Sequence, residues 1–357
     1  MPFDIQDLEE HGFRLPSVAE FVAMLTSIES PLDKHPINNY GAITSIDDDY
    51  LFPVRTSESH FRFMPGPEFS PRLYRGQTEY FSRCTPSLYR EDPGLARLIR
   101  IIKWAELSLL LQQHPATLDL AHSRIGLLRF DFNIRSIAQH CGFGTDLLDF
   151  SRSKDIAMFF ATCREIDGSG EYVAAEPGSK AVLYTVDVKS MLESRRGNEA
   201  WFLPLGFETL PRPEAQAAVA ISLLEGENLN DMPWATRAEF KVTPDLSSRY
   251  LTMFDGGAKL FPADPFDASV ESIKNGHQIA EAALRIAFEL GHIPDHPKGF
   301  SGACKELQAA GYSIIAEYPS IEPEKIEEAS RNWAEASTRF YDRIKCRGVC
   351  DHLVIDW

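Results

Sequence analysis

Between Ala138 and Ser151 the chain concentrates groups that can move protons or hold a polar ligand: Gln139, His140, Thr145, Asp149 and Ser151. They are threaded through Leu147, Leu148 and Phe150, and an apolar helix-like segment, Ile156 to Thr162, follows at once. An imidazole and a carboxylate brought together are the usual pair for general acid–base work. Gly142-Phe143-Gly144 supplies two permissive backbone positions, as a sharp helix-to-strand turn requires. If the next residues are extended, Thr145, Leu147, Asp149 and Ser151 share one face, and Leu148 and Phe150 point to the other. Gln139 and His140 then enter from the end of the preceding helix. Taken singly, His140 reads as a satisfied, partly buried histidine, and Asp149 or Ser151 as a helix cap. A cap accounts for one polar residue and leaves the rest of the group unexplained.

Two other segments carry chemistry. Tyr74-Arg75-Gly76-Gln77 places a guanidinium at a strand end, where its planar fork suits a phosphate or carboxylate. Gly76 permits close backbone approach, and Gln77 adds a donor and an acceptor. The competing reading is an ordinary surface turn. Pro211-Arg212-Pro213-Glu214-Ala215-Gln216 puts Glu214 and Gln216 two apart, on one face if extended, against the plainer reading of a loop leading into a helix. Lys259 to Asp264 reads as structural. The chain has no GxxxxGK[ST], no GxGxxG after a strand, no HExxH and no GxSxG. Cys346, Cys350 and His352 are too few and badly spaced for a zinc module, so no metal site is expected.

Helices are expected over Val18–Ser27 with Ser17 as cap, Gly94–Gln113 closed by Pro115, Ile125–Cys141 ending near Gly142, and Asp155–Cys163 capped by Ser153. Strands are expected at Arg72–Gly76, Lys180–Val188 and Arg237–Thr243, the last ending at Pro244; Ala215–Leu224 fits either type. Residues 269–291, 301–312 and 323–345 read as three further helices.

Composition sets the frame. The chain has 357 residues, is 44% hydrophobic and 25% charged, and reads as globular. No apolar run is long enough for a membrane span, and the acidic N-terminus lacks a secretory pattern, so a cytoplasmic protein is expected. Six scattered cysteines give no disulfide framework. A net charge of −16 argues against nucleic-acid or anionic-membrane partners.

Taken together, these segments resemble the FRG-domain family. The resemblance rests on Tyr74-Arg75-Gly76-Gln77, on Thr85-Pro86-Ser87-Leu88-Tyr89-Arg90, on Glu106, and on Ala138-Gln139-His140 through Thr145 and Leu147-Leu148-Asp149. Ala157–Ala161 continues it, and Arg212, Ala215-Gln216 and Leu260-Phe261-Pro262 look like its closing elements, for a span of about residues 70 to 268. Gly144, Cys141 and Phe150 stand where proline, an aromatic and tryptophan are common, and Asp146 reverses a usual arginine. Occurrence in bacterial and phage proteins implies a defence or toxin setting. The motif order also looks like that of ADP-ribosyltransferases. That likeness implies NAD as ligand, with Arg75 on a phosphate or ribose and Thr145 and Ser151 shaping a nicotinamide pocket. Glu214 would stabilise positive charge at the ribose carbon, although the neutral Gln216 stands at the matching position.

The expected fold is therefore α+β, with a split or mixed β-sheet core, flanking helices and a C-terminal helical extension. It divides into a lead-in packed on the core (1–69), an FRG-like domain (70–268) and the extension (269–357). The expected catalytic set is Arg75, His140, Asp149, Glu214 and Gln216, with Tyr74, Gly76, Gln77, Gln139, Thr145 and Ser151 contacting substrate. Three readings follow: an NAD-consuming transferase or glycohydrolase, a hydrolase or nuclease-like toxin built on His140 and Asp149, or a ligand-sensing module that meets a protein partner through its C-terminal helices.

Overall fold

The structure is a computed structural model that describes residues 13–23, 37–38, 41–42, 49–66, 72–90, 94–166, 170–194, 202–204, 208–289, 299–350 and 353–356. His352, singled out above, lies outside the described residues, as do residues 24–27 of the first expected helix.

Six antiparallel strands form the central sheet: β1 (Arg72–Gln77), β2 (Leu147–Ser151), β3 (Lys180–Asp187), β4 (Phe202–Pro204), β5 (Ala218–Ser222) and β6 (Ala235–Lys241). Their spatial order is β4-β5-β2-β1-β3-β6. β3 pairs along β1 and along β6, and β5 pairs along the whole of β2. In the middle, β1 and β2 share a single registered pair, Tyr74↔Ser151. No pairing continues toward Gln77 and Leu147, so the sheet is split between its two halves.

The helices used below are α1 (Leu95–Leu111), α2 (Ile134–His140), α3 (Lys154–Thr162), α4 (Arg212–Ala215), α5 (Asp267–Asn275), α6 (Glu281–Glu289), α7 (Gly299–Ala309) and α8 (Pro323–Asp342). Strand alternation gives the sheet two apolar faces. Leu73, Leu148, Phe150, Val182, Tyr184, Val219 and Ile221 pack on one side with Val188, Met191 and Trp234. On the other, Tyr74 and Leu183 meet Ile156, Ala157 and Phe159 of α3. The close approach of α3 to β1 depends on Gly76: a Cβ there would lie 1.7 Å from the Ala157 carbonyl oxygen.

A helical layer surrounds α1, whose Leu98, Ile102, Leu107 and Leu110 are buried against α2, α5, α6 and α7. Lys103 and Glu106 form a buried ion pair (2.9 Å) and bind the carbonyl of Gln278 and the amide of Ala280, which ties α1 to strand Gln278–Ala280. Burial pushes the Glu106 carboxyl up from its ordinary value, against the attraction of Lys103. Strands Leu51–Arg55 and His60–Pro65 form a separate mixed sheet with Arg124–Ile125 and Leu128–Phe130. Its core joins Phe61, Phe63 and Phe130 to Phe340 and Ile344 of the C-terminal region. No helix among the described residues is long and apolar enough to cross a membrane.

Four local expectations change. The helix expected over Ile125–Cys141 begins only at Ile134, capped by Asn133. Gly126, at φ 56°, turns the preceding residues into a hairpin whose Phe130 fills the small-sheet core. Pro115 and Pro244 end nothing; each is the first residue of a further helix, Pro115–Ala121 and Pro244–Met253. The long helix expected over 269–291 is broken into α5 and α6 by strand Gln278–Ala280, which pairs in parallel with Ser313–Ile315. That pairing, together with Glu106 on Ala280, outweighs the helical periodicity. Over Ala215–Leu224 the structure selects the strand, β5.

Two expected outcomes follow from this packing. Gly76→Ala forces Cβ into backbone, so denaturant unfolding will show a loss of about 3 kcal/mol or more; a variant within about 0.5 kcal/mol of the parent contradicts the packing described. Burial holds the Glu208 carboxyl up at about 8, despite the nearby Arg62 charge and the Asn133 amide. An acid raised in the folded state stabilises the fold most at low pH. As pH climbs past the ordinary carboxyl value of 4.5, the unfolded chain ionises first and stability falls until about pH 8. Glu208→Gln will therefore melt higher than the parent at pH 8 and equal to it at pH 4. A variant less stable at pH 8 sinks that account.

Candidate functional site

Where β1 and β2 part, a cleft of about 850 Å³ opens over the sheet, bounded by α2, α3, α4 and α5. Sites for small molecules commonly measure about 300–1,000 Å³. Strand β1 presents Tyr74, Arg75, Gly76 and Gln77 to it, and β2 presents Asp149 and Ser151. Because β1 offers no amide to the Asp149 carbonyl beyond the split, the Arg75 guanidinium takes that acceptor at 2.8 Å. Its Nε has no partner among the described residues.

Gln139 and His140 arrive on the last turn of α2. That helix stops in a Schellman arrangement: Gly142, at φ 80°, donates to the Gln139 carbonyl (3.0 Å) and Phe143 to the Ala138 carbonyl (2.9 Å). The chain then reverses into β2. The Thr85–Arg90 segment braces this reversal, with the Leu88 amide on the Thr145 carbonyl (2.9 Å) and the Ser87 hydroxyl accepting from the Thr145 amide (3.1 Å).

A chain of hydrogen bonds orients the two proton-active side chains. The Leu147 amide donates to the Thr145 hydroxyl, which donates to Gln139 Oε1. With its oxygen occupied, Gln139 turns its amide nitrogen to Asp149 Oδ2, at 2.8 Å. On the other side, Gln216 Nε2 donates to the Leu260 carbonyl (3.1 Å), so Gln216 Oε1 faces His140 Nδ1 at 2.9 Å. An acceptor at Nδ1 fixes the neutral ring as the Nδ1–H tautomer. His140 Nε2 is then left with its lone pair, 3.9 Å from Asp149 Oδ1, and neither atom has another partner among the described residues. The gap exceeds a direct hydrogen bond and suits a bridging hydroxyl or water. The His140 side chain is 3% exposed and that of Asp149 36%, so the carboxylate is the member open to a ligand.

Arg75, Gln139, His140, Asp149 and Gln216 thus line one cleft, with Tyr74, Gly76, Gln77 and Ser151 beside them. The Ser151 hydroxyl is already used, donating to the Gln216 carbonyl (2.8 Å) and accepting from the Ser153 amide (3.0 Å). Two expected residues stand elsewhere. Thr145 is fully buried and acts on Gln139. Glu214 does not line the cleft: it is held in an ion pair by Arg343, just past the end of α8. The short α4 turns Glu214 outward and Gln216 inward, where an extended segment would have kept both on one side. Ala217 completes that turn at φ 44°, a strained conformation for a residue with a Cβ.

The cleft also has a wall that no local motif announces. Tyr172 and Phe261 stack at 5.1 Å and 17°, and Phe160 meets Phe261 edge-on at 6.1 Å and 89°. Arg212 stands 5.9 Å over the Phe261 ring and pairs with Asp267. These residues come from α3, the hairpin after it, α4 and the turn before α5, so chain spacing carries no trace of their meeting. Only the resemblance of Leu260-Phe261-Pro262 to closing elements of a family pointed there. Four cations (Arg75, Arg164, Arg212, Lys274) and three carboxylates (Asp149, Glu165, Glu271) line the cleft. In a chain of net charge −16, that lining is locally favourable to an anion. Burial raises the Cys141 thiol to about 12 and also raises that of Cys163, which removes both as nucleophiles at neutral pH.

Residues 70–169 match the family model described as FRG domain. No curated protein matches the chain, and no solved structure does. The matched segment contains Arg75, Gln139, His140 and Asp149; Gln216 and Phe261 join the same cleft from beyond it.

Nitrogen NMR of the His140 ring checks the hydrogen-bond assignment. At high pH the parent protein will show the Nδ1–H tautomer, and Gln216→Leu will shift the ring toward Nε2–H. A parent ring already protonated at Nε2 contradicts it.

Proposed function

The chain carries an FRG domain over residues 70–169, and we propose that its cleft cleaves the bond between ribose and nicotinamide in NAD, by hydrolysis or by transfer to an acceptor. The observation that carries this reading is the facing pair of unpartnered atoms, His140 Nε2 and Asp149 Oδ1, beside an arginine and an aromatic wall.

The chemistry follows from their placement. As the C1′–N bond breaks, its electron pair leaves with nicotinamide and positive charge develops on the ribose carbon. The Asp149 carboxylate, open to the cleft and held by Gln139, stabilises that charge electrostatically. It takes the role that the motif order alone assigned to Glu214. His140 Nε2 accepts a proton from the attacking water or acceptor hydroxyl as its oxygen bonds to C1′. In hydrolysis the products are ADP-ribose, nicotinamide and one proton. Arg75, with donors left over after binding the Asp149 carbonyl, faces the diphosphate or ribose.

Purified protein mixed with millimolar NAD will release nicotinamide, followed by chromatography. Asp149→Asn and His140→Ala will each slow release by about 10²-fold or more, while Arg75→Ala will weaken NAD binding in calorimetry. Neither binding nor release at millimolar NAD overturns the reading. Binding without release would leave a ligand sensor in its place.

A further inference from the structure

We infer that the wall formed by Phe160, Tyr172 and Phe261, with Arg212 beside it, is a nucleobase subsite that holds the adenosine diphosphate half of the dinucleotide. The inference rests on reading the cleft as a dinucleotide site, yet it concerns binding and is tested without turnover.

Four observations support it. The three rings line the cleft and are partly exposed, although a larger aromatic group lies behind them. Phe159, fully buried, packs against Tyr172 at 5.1 Å and against Phe254 at 5.6 Å, so the wall is backed by rings that hold its position. Phe160 stands at 89° to Phe261 and 74° to Tyr172, so it makes an aromatic corner with their stack against which a flat heterocycle can pack. Such a rigid aromatic corner suits base stacking, which is tolerant of base identity.

The charge is placed to match. Arg212 lies over Phe261, and its Nε is buried without a partner among the described residues. It contacts the Asp267 carboxylate at 3.3 Å. A base on the wall therefore has a guanidinium within reach of the phosphates attached to it, which is the combination a nucleoside diphosphate requires. The connection between the two surfaces agrees as well. Gln216 holds His140 with its oxygen and the Leu260 carbonyl with its nitrogen, so the reacting pair and the wall are joined through one side chain and remain separate surfaces.

Calorimetry with ADP, adenosine and inorganic pyrophosphate tests the subsite. The parent protein will bind ADP more tightly than either fragment. Tyr172→Leu and Phe261→Leu, chosen to keep apolar volume while removing the ring face, will each weaken ADP by about tenfold. Arg212→Gln will weaken ADP and leave adenosine unchanged. Thermal melts will confirm that the leucine variants are folded; if one is not, Phe160→Leu gives the same reading from α3. No ADP binding by the parent, or undiminished binding by folded leucine variants, overturns the subsite. ADP binding with these losses but no nicotinamide release leaves the subsite standing and removes the cleavage reaction. Nicotinamide release with ring variants that bind ADP normally does the reverse.

Discussion

The organisation of this molecule depends on a hydrogen-bonding constraint at the centre of its sheet. Two adjacent antiparallel strands would ordinarily satisfy each other's amides and carbonyls, and a buried carbonyl left alone costs free energy comparable to a lost hydrogen bond. Here β1 and β2 meet at Tyr74↔Ser151 and then part. The Arg75 guanidinium supplies the donor that a neighbouring strand would have given to Asp149. One side chain both closes the backbone account and brings permanent positive charge into the opening. Gly76, the next residue, lets α3 lie directly on β1, so the split is roofed by a helix.

A second level of order rests on two amides. Gln139 is oriented by Thr145 and holds Asp149; Gln216 is oriented by Leu260 and holds His140. Each amide has one end spent on a fixed partner, so its other end is chemically determined. The histidine tautomer and the free carboxylate oxygen follow from that, with no direct bond between the pair. The strained backbone of Ala217 fits this view, because it is the residue through which the chain turns Gln216 inward before entering β5.

Much of this was legible in the chain and some was not, for physical reasons. The alternation of Leu147 to Ser151 and the glycine turn before it located β2, its two faces and the entry of His140. Helix α3 with its Ser153 cap and strand β3 were similarly local. The hairpin at 124–130 was missed because its apolar residues fit helical spacing, and only packing against Phe61 and Phe63 selects strand. The break between α5 and α6 is set by Ser313–Ile315 and Glu106, both distant in sequence. Glu214 and Gln216 are parted by a short helix, so of the two readings open for that segment the extended one does not hold. The aromatic wall had no local signature, since its three rings come from three separate segments.

The boundary of the family match clarifies how the site is built. Residues 70–169 contain the guanidinium, the imidazole, the carboxylate and Gln139. The group that fixes the imidazole tautomer, the aromatic stack and Arg212 all lie later in the chain. α4, which carries Arg212 and leads into Gln216, is also tied by Glu214 to Arg343, and Arg343 in turn binds Asp49. Both ends of the described chain therefore bear on the position of Gln216. A segment cut at the match would keep the proton-active pair and lose what orients half of it. The His140–Asp149 pair and the groups that orient it and wall the cleft are thus divided along the sequence, so the shape of the cleft is set as much by the later half of the chain as by the matched segment.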